Sequence, residues 1–212
     1  MDLLLLIIIL VNAAFTFKGL NDYSFFERYK FNAGAVRRGE YYRLVTGAFL
    51  HAGWGHFLFN MITLYFFYKP VVVYTGYTGF LLIYFAGMIG GNLLAYYFHK
   101  NDSYYSAVGN SGAVNAVVFS AILFQPGASI FILPFPIPIP AYIYAVGYLL
   151  YTTFGMKNLK DHIGHEAHFG GAAAGIILSV LLAPGLLKQR LMLLVALLIV
   201  IIGGFIYARK KA

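Results

Sequence analysis

Runs of uncharged, strongly apolar residues recur from one end of the chain to the other, from LLLLIIILVNAAF at 3–15 to LMLLVALLIVIIGGF at 191–205. Each approaches the roughly 20 residues that a helix rising about 1.5 Å per residue needs to cross a hydrocarbon core about 30 Å thick. No water is present at that depth to satisfy backbone N–H and C=O groups, so the runs must close their hydrogen bonds internally as helices. With 61% hydrophobic and 10% charged residues among 212, the chain reads as an all-α polytopic membrane protein. Candidate crossings fall at approximately 2–17, 54–73, 79–98, 109–125, 137–154, 166–183 and 191–208.

The first run has no basic residue before it and a poor small-residue cleavage pattern, so it is expected to be a membrane helix rather than a signal peptide. The 18–50 loop mixes Arg, Tyr and Phe and lacks the Ser/Pro/Gly richness of a tether; it is expected to be structured and embedded at the membrane interface. In PGASIFILPFPIPIP, the prolines at 134, 136, 138 and 140 rule out a regular helix and predict a turn with a re-entrant or interfacial approach to the fifth crossing. YFFY at 65–68 reads as lipid-facing and packing residues. No internal repeat is evident, so the paired halves of many transporters are not visible.

A net charge of +8 could point to nucleic acid, but the basic residues are scattered over loops and helix ends. Together with 18 tyrosines they read as anchors to the lipid bilayer, and nucleic acid is not an expected partner. Cysteine is absent, which excludes disulfides, a thiolate nucleophile and cysteine metal sites. His162, His165 and His168, spaced by three, could share a helix face and bind zinc. HExxH is missing, however, and Asp161 with Gly164 places His162 and His165 in a loop, so no metal is expected.

Polar residues inside a bilayer are costly and mark function. Here they gather where three helices begin: HAGWGHFLFN at 51–60, GNSGAVNAV at 109–117 and HEAHFGGAAAG at 165–175. Alternate helices enter from the same membrane face, which puts His56, Asn60, Ser111 and His168 in one leaflet. His56 and Asn60, four apart, share a helix face. Gly171 and Gly175 on one helix, with Gly112 and Ala116 on another, offer small faces for close approach, so Ser111 and His168 can meet. A serine beside a histidine suits nucleophilic catalysis, with backbone N–H groups at the helix start, His56 and Asn60 as oxyanion donors. Asp161 and Glu166 lie in the loop or at the helix edge, which leaves a dyad rather than a triad. The plainer reading of GNSG is a helix cap set among small residues that ease packing.

Tyr42-Arg43, HxxxxHxxxN at 51–60, GNSG at 109–112 and AHFGGAAAG at 167–175, in this order over residues 42–175, resemble the rhomboid intramembrane serine proteases. The resemblance implies a six-helix catalytic core over 1–183, including the embedded 18–50 loop, and an additional transmembrane helix with a basic tail over 184–212. It implies Ser111 as nucleophile, His168 as general base, and oxyanion support from His56, Asn60 and the Ser111 amide. Gly109 and Gly112 would flank the nucleophile, Gly171 and Gly175 would pack the sixth helix on the fourth, and Arg43 would help order the first loop. His51 reads as a structural hydrogen-bonding residue at the membrane edge. Substrates would be transmembrane proteins cut in or near the membrane helix, where the backbone can unwind, and such chemistry needs no cofactor.

Two features depart from the family pattern. The position four after the serine, often aromatic in the family, is Asn115, whose amide would either hold His168 or satisfy a neighbouring backbone group. With the N-terminus in the cytoplasm of a cell membrane, as in the family, all of the 15 Lys and Arg except Lys69, Lys188 and Arg190 lie outside, against the positive-inside rule. An alternative function is a catalytically inactive rhomboid-like protein that binds transmembrane helices for quality control; loss of Ser111 or His168 would be its signature. A channel or transporter would want polar residues through the whole depth of the membrane, and a metalloprotease would be sensitive to chelators. No oligomeric state follows from the residues.

Overall fold

The computed structural model describes residues 2–132, 135–159, 161 and 163–210. Helix α1 (Leu3–Asn21) starts at Asp2, whose carboxylate accepts the Leu4 N–H as an N-cap. The same carboxylate accepts the Tyr68 hydroxyl at 2.7 Å and the Tyr77 hydroxyl at 2.9 Å. Of the aromatics at 65–68, expected to face lipid and to pack, Tyr68 is buried, whereas Tyr65 and Phe66 are exposed.

Between α1 and the next crossing the chain forms α2 (Tyr23–Tyr29), β1 (Phe31–Asn32), α3 (Ala33–Arg37) and α4 (Arg43–Phe49). The first loop is thus structured, as its composition predicts. Arg43, 9% exposed, donates to Glu40 Oε2 at 2.8 Å and to the carbonyls of Glu27 and Lys30 at 2.8 and 2.9 Å, which closes the loop on itself.

Helix α5 (Trp54–His99) has 46 residues, about 69 Å of helix and twice what a bilayer requires. Gly76, at φ 69° and ψ 177°, breaks it. The Tyr68 and Phe80 rings lie 4.7 Å apart, where a straight helix would separate the two residues by about 18 Å, so the halves fold back on each other. Only glycine adopts that backbone conformation without strain. The two halves of α5 are the second and third expected crossings.

Strand β2 (Ser106–Ala107) pairs antiparallel with β1, tying the third-to-fourth connection to the first loop. Then come α6 (Ser111–Phe124), β3 (Ser129–Ile132), β4 (Phe135–Pro140), α7 (Ala141–Asn158), α8 (His165–Leu182), α9 (Leu186–Gln189) and α10 (Leu191–Arg209). The seven long helical segments expected from the apolar runs are all present. The proline-rich connection is more regular than expected: it is a β-hairpin, with Pro138 opposite Phe131 and Pro140 opposite Ser129. A two-stranded antiparallel ladder uses the N–H of alternate residues only, so prolines two apart forfeit no bond within it. Pro134 lies outside the described residues.

Helix α6 is the centre of the bundle, with every residue from Gly112 to Phe124 buried. Both halves of α5, together with α7 and α8, surround it. A Cβ built on Gly171 would collide with the Gly112 carbonyl oxygen, and one on Gly175 with that of Ala116, so α8 packs backbone to backbone on α6.

Candidate active site at the head of the central helix

At 14 residues, α6 is about 21 Å long and shorter than a bilayer core, so a helix that ends near one membrane face begins below the other. Ser111 is its first residue. The turn that delivers it contains Gly109 at φ 113°, and the Gly109 N–H donates to the Gly47 carbonyl at 3.1 Å. A side chain at Gly109 would be strained and would stand 2.6 Å from His56 Cε1. His56 and Asn60, one turn apart on α5, line this turn. Asn60 is 3% exposed, and its Nδ2 has no hydrogen-bond partner among the described residues.

A buried polar chain holds the same turn from behind. Thr16 Oγ1 lies 2.8 Å from His51 Nδ1, His51 Nε2 lies 3.3 Å from Asn110 Oδ1, and Asn110 Nδ2 donates to the Tyr84 hydroxyl at 3.1 Å. His51 is fully buried; burial and the neighbouring His56 push its pKa down to about 4. The chain links α1, the first loop, α5 and the residue before Ser111.

His168 lies in the first turn of α8. The α6–α8 contact sets it beside the serine turn: a Cβ on Gly112 would lie 3.2 Å from the carbonyl oxygen of Ala167. No hydrogen bond joins Ser111 to His168 among the described residues. The His168 ring is held from its other edge by Tyr148 of α7, whose hydroxyl lies 2.9 Å from Nδ1, with the rings 19° from parallel. Asn115 Nδ2 donates to the Ser111 carbonyl at 2.9 Å, the backbone-satisfying alternative of the two.

Three charged or titratable neighbours are committed elsewhere. His165 opens α8 and is buried, contrary to the loop position expected for it; its Nε2 bridges to Asp161 Oδ1 at 3.1 Å and its ring fills the space over Gly155. Glu166 Oε1 lies 3.1 Å from His99 Nε2, and the Tyr105 ring stacks on His99 at 3.6 Å. His162 lies outside the described residues, and no group of three His, Asp or Glu side chains able to hold a metal occurs among those described.

Residues 38–185, most of the chain, match the family model described as the Rhomboid domain. The chain belongs to the rhomboid family. It is 31% identical over 156 residues to RHOMBOID-like protein 12, mitochondrial, of Arabidopsis thaliana, covering 66% of this chain and 46% of that protein. It is 30% identical over 153 residues to the "Putative rhomboid protease YdcA" of Bacillus subtilis, covering 71% of each. To Rhomboid protein 1, mitochondrial, of Saccharomyces cerevisiae it is 24% identical over 150 residues, covering 69% of this chain and 43% of that protein. The match thus spans less than half the length of the plant and yeast proteins. The rhomboid region takes in every side chain gathered at the head of α6 except Thr16. Tyr148 escaped the sequence reading because nothing distinguishes it from the chain's other 17 tyrosines until α7 is placed beside α8.

Proposed function

We propose that this rhomboid is an intramembrane serine endopeptidase that cuts transmembrane segments of membrane proteins with a Ser111–His168 dyad. The observation that carries the reading is the glycine contact of α8 on α6, which sets the first turn bearing His168 against the helix start bearing Ser111. Ser111 Oγ attacks the scissile carbonyl as His168 takes its proton, and the protonated imidazole then gives that proton to the leaving amine. The oxyanion is held by the Ser111 amide, His56 and the unpartnered Asn60 Nδ2. Gly109, Gly112, Gly171 and Gly175 keep these groups in register, and Arg43 and His51 hold the loop and turn around them.

A substrate helix must unwind locally, since a carbonyl within a regular helix is already bonded and shielded. The proposed setting is the cell membrane; of the three relatives named, the bacterial one is matched over the largest share of its length. The catalytic core is proposed to be 1–183, with 184–212 an added helix and basic tail. Purified protein in liposomes should cut a model transmembrane substrate, with and without chelator, and Ser111→Ala and His168→Ala should each abolish cutting. Equal cutting by all three forms would remove the dyad. Binding of substrate helices without cutting would favour the inactive, helix-binding alternative.

A further inference from the structure

We propose that the end of the bundle opposite Ser111 carries a site for one anionic phospholipid. A cavity between α7 and α10 takes a segment of its acyl chain, and Lys188 and Arg190 take the phosphate of its headgroup. The site is independent of the Ser111–His168 dyad.

Helices α7 and α10 close on each other at their C-terminal ends. There a Cβ built on Gly204 of α10 would collide with the Thr153 hydroxyl of α7, Asn158 Nδ2 donates to the Tyr207 hydroxyl at 3.1 Å, and Lys157 Nζ lies 4.0 Å from the centre of the Tyr207 ring. At their N-terminal ends a cavity of about 500 Å³ remains, walled by Tyr142 and Val146 of α7 and by Leu193 and Ala196 of α10. Its volume is that of a pocket able to enclose a small ligand. The turn between α9 and α10 adds Lys188 and Arg190 to the lining.

The level of the cavity in the membrane follows from α6. Arg190 Nε donates to the carbonyl of Leu123, in the last turn of α6, at 3.3 Å, whereas Ser111 is the first residue of that helix. The cavity therefore opens at the membrane face away from the serine, where α10 enters the hydrocarbon and lipid phosphates lie.

The charge there is uncompensated. Neither Lys188 nor Arg190 pairs with a carboxylate among the described residues, and the Arg190 guanidinium donates only to the neutral carbonyls of Leu123 and Gln189. Arg43, by contrast, is matched by Glu40. Two cations beside an apolar cavity complement a ligand with an anionic head and an apolar tail. The planar guanidinium suits a phosphate, and the lysine adds a mobile second charge. A lipid held there completes the seam between α7 and α10 where the side chains leave it open.

Native mass spectrometry of the full chain in detergent, titrated with phosphatidylglycerol or with phosphatidylcholine of the same acyl chains, tests the site. One phosphatidylglycerol should bind in preference to phosphatidylcholine and raise the thermal midpoint in the same detergent. Lys188→Gln and Arg190→Gln should each weaken phosphatidylglycerol binding about fivefold. Lys188 is the decisive position, because its side chain makes no hydrogen bond or ion pair among the described residues and its loss removes charge alone. Ala196→Phe should weaken binding with both cations kept, since the ring takes the place of the acyl chain. Arg209→Gln combined with Lys210→Gln removes two charges at the closed end of the seam and should change nothing. Equal binding of the two lipids, or unchanged phosphatidylglycerol affinity in Lys188→Gln and Ala196→Phe, would overturn the proposal. So would an equal loss in the Arg209 and Lys210 double variant, which would show only the general attraction of a basic protein for anionic lipid.

Discussion

Asn60 holds an amide nitrogen in a buried position with no acceptor for its hydrogens among the described residues. A buried orphan donor costs stability, and on the protease reading it is kept for a bond that forms only when negative charge arrives. Asn60→Ala should therefore lower kcat about a hundredfold with little change in KM, yet leave the thermal midpoint equal or higher. A residue with a purely structural role would give the opposite pair of results. Kinetics and calorimetry on the same preparation separate the two. The proposed site residues could be picked out in the sequence because a bilayer penalises polar side chains, so His56, Asn60, Ser111 and His168 stand out against apolar runs. Tyr148 and the Thr16–His51–Asn110–Tyr84 chain did not stand out. Their meaning lies in pairings between separate helices, and tyrosine at a membrane interface is too ordinary a residue to attract notice.

Helices meet here through backbone rather than through interlocking side chains, and the glycines of α8 are the reason. Gly171→Val should drive methyl groups into the Gly112 carbonyl, cost about 1–3 kcal/mol as overpacking does, and displace His168 from Ser111. Gly147 of α7, with nothing within 4 Å of a built Cβ, is the control: Gly147→Ala should stabilise by up to about 1 kcal/mol through helix propensity alone. Thermal unfolding in detergent, with cleavage on the same samples, would show opposite shifts for the two. At this scale the number and order of crossings were legible, because each follows from apolar length. The fold-back at Gly76 and the pairing of β3 with β4 were less so. A glycine among apolar residues carries no mark of its φ, and prolines in alternation read as irregular chain until a partner strand uses the remaining N–H groups.

At the scale of the whole molecule, the first loop is closed by one buried guanidinium, that of Arg43. The Arg43 and Tyr42 hydrogen bonds hold the Glu40 carboxyl below the usual carboxylate range, against a smaller opposing effect of burial. Its folded pKa is depressed, so its contribution is present above the ordinary value of 4.5 and is lost as pH falls through the lower folded value. Limited proteolysis of the 18–50 loop should accelerate as the pH falls below 4.5, and Arg43→Ala should produce the same cuts at neutral pH. Removing 191–212 should lower the thermal midpoint, since Leu197 and Gly204 of α10 are buried against the bundle, but cleavage should survive if 1–183 is the catalytic core. The enclosure of α6 also bears on how the protein is made. Its partner glycines at 171 and 175 emerge from the ribosome long after Ser111 does, so a short helix with a polar head must wait in the membrane with one side of its backbone uncovered. Assembly of this rhomboid would then be most vulnerable between synthesis of its fourth and sixth crossings.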